Sequence, residues 1–189
     1  MGTAKGATTV KDTELWEGGW RRSSWPTGLL LGNFLLAEQV LSETEAILRS
    51  FRGADGPHEG IAFWGGLESG ETTLFTTAVA PRAEHTAGSV RCDEVAMREV
   101  IRALRGYGLG LLAQVHSHPG SDARHSYGDD EMIFMPFEGM LSIVVPEYAR
   151  EGISPLTSCE VHQFQGGKWV LCEGDLDALR VLPSGVDLR

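Results

Sequence analysis

Between Val115 and Glu131 the chain reads VHSHPGSDARHSYGDDE. His116 and His118 are two residues apart, so in a strand their imidazoles share one face while Ser117 points the other way. Pro119 cannot continue a ladder, and Gly120, Ser121 and Asp122 carry the chain out through a turn. Ser126 then precedes Tyr127-Gly128-Asp129-Asp130-Glu131, the acid-rich first turn of a short helix. Ser126 and Asp129 fall on one side of that helix, which lets Asp129 reach an ion held by the two imidazoles. Two histidines and one carboxylate leave the fourth tetrahedral position open, the pattern of a catalytic zinc rather than a structural one. Zinc there would lower the pKa of bound water toward about 7 and polarise a carbonyl. Attack by water also needs a base, supplied by a carboxylate that is not itself a ligand. Ser126 has two compatible readings: a helix N-cap, or a hydroxyl donor to a developing oxyanion.

The spacing H-x-H-P-x6-S-x-x-D should arise by chance in roughly one chain of this size in 10^4 to 10^5. It resembles the motif of the JAMM metalloproteases, the JAB/MPN family, and the resemblance runs over about residues 35–171. What it implies is an α/β fold: a mixed sheet flanked by helices with a JAB/MPN, cytidine-deaminase-like core. It also implies Zn2+ held by His116, His118 and Asp129, with Ser126 in the catalytic role. The family carries a glutamate upstream near the start of a core strand, and Glu59 in His58-Glu59-Gly60-Ile61-Ala62-Phe63-Trp64-Gly65-Gly66 fits it. Glu43, Glu45, Glu68, Glu71 and Glu99 are carboxylates too. Glu59 is singled out by the resemblance and by its place, since a buried strand seldom begins with Glu unless the side chain has a task or a partner.

The resemblance further implies a peptidase that cuts after the C-terminus of a ubiquitin-like protein, in deconjugation or in precursor processing. The compact chain is similar to prokaryotic JAB-domain proteins. Some are encoded beside ubiquitin-like proteins and their activating and conjugating enzymes, including in antiphage defence operons, and others process sulfur-carrier proteins. The stretch Glu59 to Gly66 is expected to offer a strand edge to the substrate tail, with Gly65 and Gly66 permitting close approach. Two other classes stay open. A non-catalytic MPN scaffold would be signalled by loss of a motif residue, and none is lost. A zinc hydrolase of small or sulfur-carrier-linked substrates would have a closed pocket instead of an open groove.

The remaining histidines are read as packing or surface residues: His125 on the rim of the site, His58 facing away from Glu59, His85 in a loop, His162 in a terminal hairpin. Asp122 and Asp130 are read as solvated turn and helix-start acids.

The elements that must hold these residues follow from periodicity. Leu29 to Leu36 reads as a first strand. Ala37 to Phe51 is an amphipathic helix with Ser42 and Thr44 on its outer side. His58 to Gly66 and Thr72 to Ala80 form a hairpin, and Pro81 to Cys92 a polar loop that could grip a partner. Asp93 caps a helix to Arg105, with Val95, Met97, Val100, Ile101 and Leu104 as its apolar stripe. Leu109 to Val115 is a buried strand that delivers His116. Met140 to Pro146 is another core strand, followed by a hairpin about Gly166-Gly167 and a last short helix, Leu176 to Leu182. Residues 1–28 read as a partly flexible extension with Trp16, Trp20 and Trp25, and 29–189 as the domain.

A chain of 189 residues suits one domain. Its net charge of −10 argues against nucleic acid or an anionic membrane as partner. No apolar run approaches a membrane span of about 20 residues, and the N-terminus lacks an apolar signal core. Cys92, Cys159 and Cys172 form no C-x-x-C pair, so reduced thiols in a cytoplasm are expected.

Overall fold

The computed structural model describes residues 24–132, 135–174 and 176–185. The expectations for residues 1–23, including Trp16 and Trp20, lie outside them.

The described chain opens with β1 (Thr27–Gly28), β2 (Asn33–Ala37) and α1 (Glu38–Ser50). A miniature hairpin of β3 (Arg52–Gly53) and β4 (Gly56–Pro57) leads to the long pair β5 (Ile61–Ser69) and β6 (Thr72–Val79). A second small hairpin, β7 (Glu84–Thr86) and β8 (Ser89–Arg91), precedes α2 (Glu94–Gly106) and β9 (Gly110–Ser117). Then come α3 (Tyr127–Met132), β10 (Leu141–Val145), β11 (Glu160–Gln165), β12 (Lys168–Cys172) and β13 (Leu179–Leu182). One nine-stranded mixed sheet runs β1-β12-β11-β10-β9-β5-β6-β2-β13. The α/β mixed sheet expected from the sequence is what forms.

α1 lays Val40, Leu41 and Leu48 on one face of the sheet, against Phe34, Leu36, Trp64, Phe75, Val115 and Ile143. Thr44 is on that buried face, not the outer one. It sits four residues from both Val40 and Leu48, so the helical period carries it inward. Its hydroxyl donates to the Val40 carbonyl at 2.6 Å and accepts from Trp64 Nε1 at 2.8 Å, so neither buried polar group is stranded. α2, capped by Asp93 accepting from the Ala96 amide at 2.7 Å, covers part of the other face. There Val100 and Leu104 meet Ile61 and Phe63.

Several sequence expectations shift. Residues 29–32 precede the first core strand, and Thr27–Gly28, ahead of the expected domain boundary, pairs with β12. The 81–92 loop contains the β7–β8 hairpin, whose short, charged strands carry little apolar signal. The expected helix at Leu176 to Leu182 is instead a turn followed by β13, parallel to β2 in the register Leu179↔Phe34 to Leu182↔Ala37. Pairing there covers what would otherwise be a bare edge of β2 and buries Leu179. β5 is hydrogen-bonded to both β6 and β9, so it is an interior strand and offers no edge to a substrate tail. Its two glycines make room within the fold: a Cβ on Gly65 would strike the Leu104 side chain, and one on Gly66 the Leu74 carbonyl.

Candidate active site

β9 and β10 are parallel neighbours, and the chain between them crosses the carboxyl end of β9. His116 lies in β9 and His118 just beyond it, its amide still donating to the Val145 carbonyl of β10 at 2.9 Å. Gly60 is tied to Ser117 twice: the Ser117 amide donates to its carbonyl at 3.0 Å, and its own amide donates to Ser117 Oγ at 3.0 Å. The antiparallel register Ile61↔His116 therefore continues to the segment bearing Glu59, which comes to lie across from His118. Ser117 is a site residue that sequence reasoning passed over; its only signal was its place between the two histidines. Gly60 must stay bare, because a Cβ there would sit 2.8 Å from the Leu48 carbonyl oxygen and 2.8 Å from the Phe51 ring.

His116 Nε2 and His118 Nε2 are 3.2 Å apart. The Asp129 carboxylate is 3.3 Å from the first through Oδ1 and 3.2 Å from the second through Oδ2. Four-coordinate zinc with bonds of about 2.0–2.1 Å separates neighbouring donors by about 3.3 Å. These three donors thus have the spacing that one small cation requires, and they form a group that could hold a metal ion. The tautomer of His118 fits as well. Its Nδ1 lies 2.9 Å from the Asp122 carbonyl, which can only accept, so the proton is on Nδ1 and Nε2 keeps its lone pair.

The electrostatics agree at His116 and Asp129, while at His118 burial is outweighed by the Asp129 carboxylate, which raises the imidazole. Burial pulls the His116 imidazole below its ordinary pKa, with Asp129 opposing, which favours the neutral ligand form. Burial alone would raise the Asp129 carboxyl, but His116 and His118 outweigh it and hold it well below the usual carboxylate range. Burial pushes the Glu59 carboxyl up to about 7, with His118 opposing and Asp129 reinforcing.

Ser126 and Asp129 form a reciprocal cap on α3. The Ser126 amide donates to Asp129 Oδ2 at 2.6 Å, and the Asp129 amide donates to Ser126 Oγ at 3.2 Å. The cap uses a lone pair of the hydroxyl and leaves its proton free to donate. Glu59, His118, Ser126 and Asp129 line one groove of about 1110 Å³, together with the β7–β8 hairpin. His116 is fully buried beside them.

Three polar residues near the site depart from expectation. His125 is 1% exposed, not a rim residue, and its ring stacks on His162 at 3.8 Å. Asp130, read as solvated, approaches His125 Nδ1 at 3.0 Å. Asp122 is bound by Arg124 through Nε at 2.9 Å and Nη2 at 3.1 Å. The Arg124 guanidinium in turn lies 4.1 Å from the ring centre of Trp25. Beyond β10, Glu147, Tyr148 and Ala149 have φ of 52°, 56° and 57°, an uncommon left-handed run. That turn aims the Tyr148 amide at the His118 carbonyl, 2.8 Å away, and its hydroxyl at the Ala87 carbonyl of the β7–β8 turn, 2.7 Å away.

A sequence model of the family described as prokaryotic homologs of the JAB domain matches residues 42–154. A protein of Sinorhizobium fredii described as the probable metalloprotease y4jG is 40% identical over 121 residues, spanning 61% of this chain and 72% of that protein. Among solved structures, a Desulfitobacterium hafniense protein determined in solution superposes with a TM-score of 0.57 at 16% identity, over 80% of this chain and 92% of that one. A JAB1/MPN domain protein from Archaeoglobus fulgidus matches at a TM-score of 0.44 and 18% identity, over 79% of this chain and 98% of that one.

Proposed function

The chain belongs to the family of prokaryotic homologs of the JAB domain, and from that premise we propose that it is a JAMM-type zinc metallopeptidase acting on the C-terminal tail of a ubiquitin-like protein. The observation that carries the reading is the close set of His116, His118 and Asp129 donors beside a buried Glu59 on one groove. Zinc, when bound, supplies Lewis acidity, polarising the scissile carbonyl and making water acidic near neutral pH. Glu59 accepts the proton of the attacking water and passes it to the leaving amine, a double task suited to a carboxyl whose proton affinity burial raises. Ser126 donates its free hydroxyl proton to the carbonyl oxygen as charge develops there. Asp122 fixes the orientation of His118 through its backbone carbonyl.

The groove has room for a macromolecular tail. Its volume of about 1110 Å³ exceeds the roughly 300–1,000 Å³ of ordinary small-molecule pockets. Because β5 is interior, the strand that receives an extended tail is assigned to the β7–β8 hairpin, which lines the groove. Activating and conjugating enzymes for the same ubiquitin-like protein, as in an antiphage defence system in the cytoplasm, are the partners this reading implies. Among the described residues no helix is long and apolar enough to cross a membrane.

Elemental analysis and fusion cleavage test the reading together. The wild type should carry one zinc per chain and cut ubiquitin-like fusions directly after the tail, whatever protein follows. Glu59→Gln should keep the metal and lose cleavage, whereas His116→Ala with His118→Ala should lose both. A metal-free wild type, or an active Glu59→Gln, would refute the mechanism. Zinc content without cleavage of any fusion would redirect the assignment to a small-substrate hydrolase.

A further inference from the structure

Asp129 comes to the site on α3, a helix of six residues. A helix this short does not hold itself in water, so its position has to be imposed by contacts outside it. The residue just before its cap, His125, makes those contacts with every polar atom it has. Its amide donates to His162 Nε2 at 3.3 Å, and its carbonyl accepts from Trp25 Nε1 at 2.7 Å. Its ring joins Asp130 Oδ1 at 3.0 Å through Nδ1 and Ser142 Oγ at 2.8 Å through Nε2. Ser142 Oγ also receives the Gln114 side-chain amide at 2.9 Å.

The direction of this chain of bonds follows from the chemistry of its ends. Gln114 Nε2 can only donate, and the Asp130 carboxylate only accepts. Ser142 therefore accepts from Gln114 and gives its one proton to His125 Nε2, and His125 gives its Nδ1 proton to Asp130. A single neutral tautomer satisfies every link, and none has to be reversed. Gln114 and Ser142 are register partners on the β9–β10 pair that also presents His116, and Ser142 in turn pairs with His162 on β11. The chain of bonds thus starts in the rigid middle of the sheet and ends on the helix that bears Asp129.

We infer that His125 is a positioning residue, whose one-way chain of hydrogen bonds from Gln114 through Ser142 to Asp130 fixes Ser126 and Asp129 against His116 and His118. The inference rests on the metallopeptidase reading for its consequence, since what it sets is the geometry of a metal ligand. Asp130 and His125 close a loop of six residues around the Ser126–Asp129 cap, so the cap is held from both sides. A buried network with these links satisfied resists deformation, and losing one link should loosen the loop as a unit.

His125→Phe keeps the ring stack on His162 and the edge contact with Trp169 and deletes both side-chain bonds. Ser142→Ala breaks the same chain from the sheet side, one link removed from the loop. Zinc affinity of the full chain, measured by competition with a chromophoric chelator, should fall about 10- to 100-fold in each variant. Amide exchange of residues 122–130 in the metal-free protein should quicken at least tenfold, while that of β9 and β10 stays protected. The double variant should lose no more than the worse single, because both cut one chain. Wild-type exchange in residues 122–130 of both variants would overturn the inference, as would losses that simply add. If His125→Phe does not fold, Ser142→Ala and Asp130→Asn decide by the same measurements. A wild type that binds no zinc would sink the metallopeptidase reading instead, and the exchange data would still decide the role of His125.

Discussion

Under the proposed mechanism Ser126 holds two roles. Its oxygen caps the short helix by accepting the Asp129 amide, and its proton is left for the groove. Ser126→Ala should therefore lower turnover on the order of 10^2-fold while keeping the metal. It should also cost about 1 kcal/mol of stability from the lost cap. Steady-state kinetics, zinc analysis and thermal melts on one preparation separate the two effects. Normal turnover beside a lowered melting temperature would leave the residue with the cap alone. His118 is similarly constrained: a backbone carbonyl, which cannot donate, decides which ring nitrogen is free.

Among elements, the entry to β5 governs the site more than its length suggests. The Glu59 amide donates to the Thr86 carbonyl at 2.9 Å, and Gly60 is bonded to Ser117 on the other side. Glu59 is thereby suspended between the β7–β8 hairpin and the end of β9. Gly60 allows this only because it has no side chain to meet Leu48 and Phe51. Gly60→Ala should push β5 and α1 apart and destabilise the protein by about 1–3 kcal/mol. Urea unfolding would register this, and cleavage measured where the variant is still folded should also fall, since Glu59 moves with the backbone. Full stability and activity in Gly60→Ala would show that the close approach does not matter. Gly70→Ala, in an open turn with no atom within 4 Å of the added carbon, is the comparison that isolates crowding from strain at positive φ.

At the scale of the molecule, one face of the sheet is an apolar core under α1, while the other is divided between α2 and a buried polar patch. That patch includes Gln114, His116, Ser142 and His162, all buried. It should make folding sensitive to acid. Burial pulls His162 down to about 3, with the neighbouring His116 adding to the shift. Burial likewise holds His125 well below its ordinary value, with His162 adding to it. Between about 6.5 and 3 the unfolded chain takes up protons at His162 that the folded chain refuses. The stability tied to His162 is therefore complete above about 6.5 and is lost as pH falls through that window. Glu59, raised to about 7, has the opposite sign: its contribution is present at low pH and lost as pH rises through 7. In metal-free protein the urea midpoint of the wild type should drop from pH 7 to pH 4.5 more than that of His162→Gln. Equal drops would mean that His162 is not held neutral.

The group His116, His118, Ser126 and Asp129 was legible in the chain because its spacing is local and rigid, whereas Glu59, far upstream, was singled out by the family resemblance and by its place at the start of a buried strand. Strand alternation fixed the relation of His116 to His118, and one helical turn that of Ser126 to Asp129. α1, α2 and the central strands were legible for the same reason, since apolar period reports which face is buried. Thr44 and Ser117 also lay within reach of that periodicity. Other features required the fold. His125 and His162 are 37 residues apart in sequence and are brought into a stack by β11 and the loop before α3. Nothing local distinguishes such a histidine from a solvated one. Whether residues 176–182 form helix or strand depended on a vacant edge of β2, which only the assembled sheet supplies. The glycines at 65 and 66 could be read as space for a substrate until Leu104 and Leu74 were found against them. Short-range geometry wrote the chemistry into the sequence, and long-range packing decided which neighbours hold it in place.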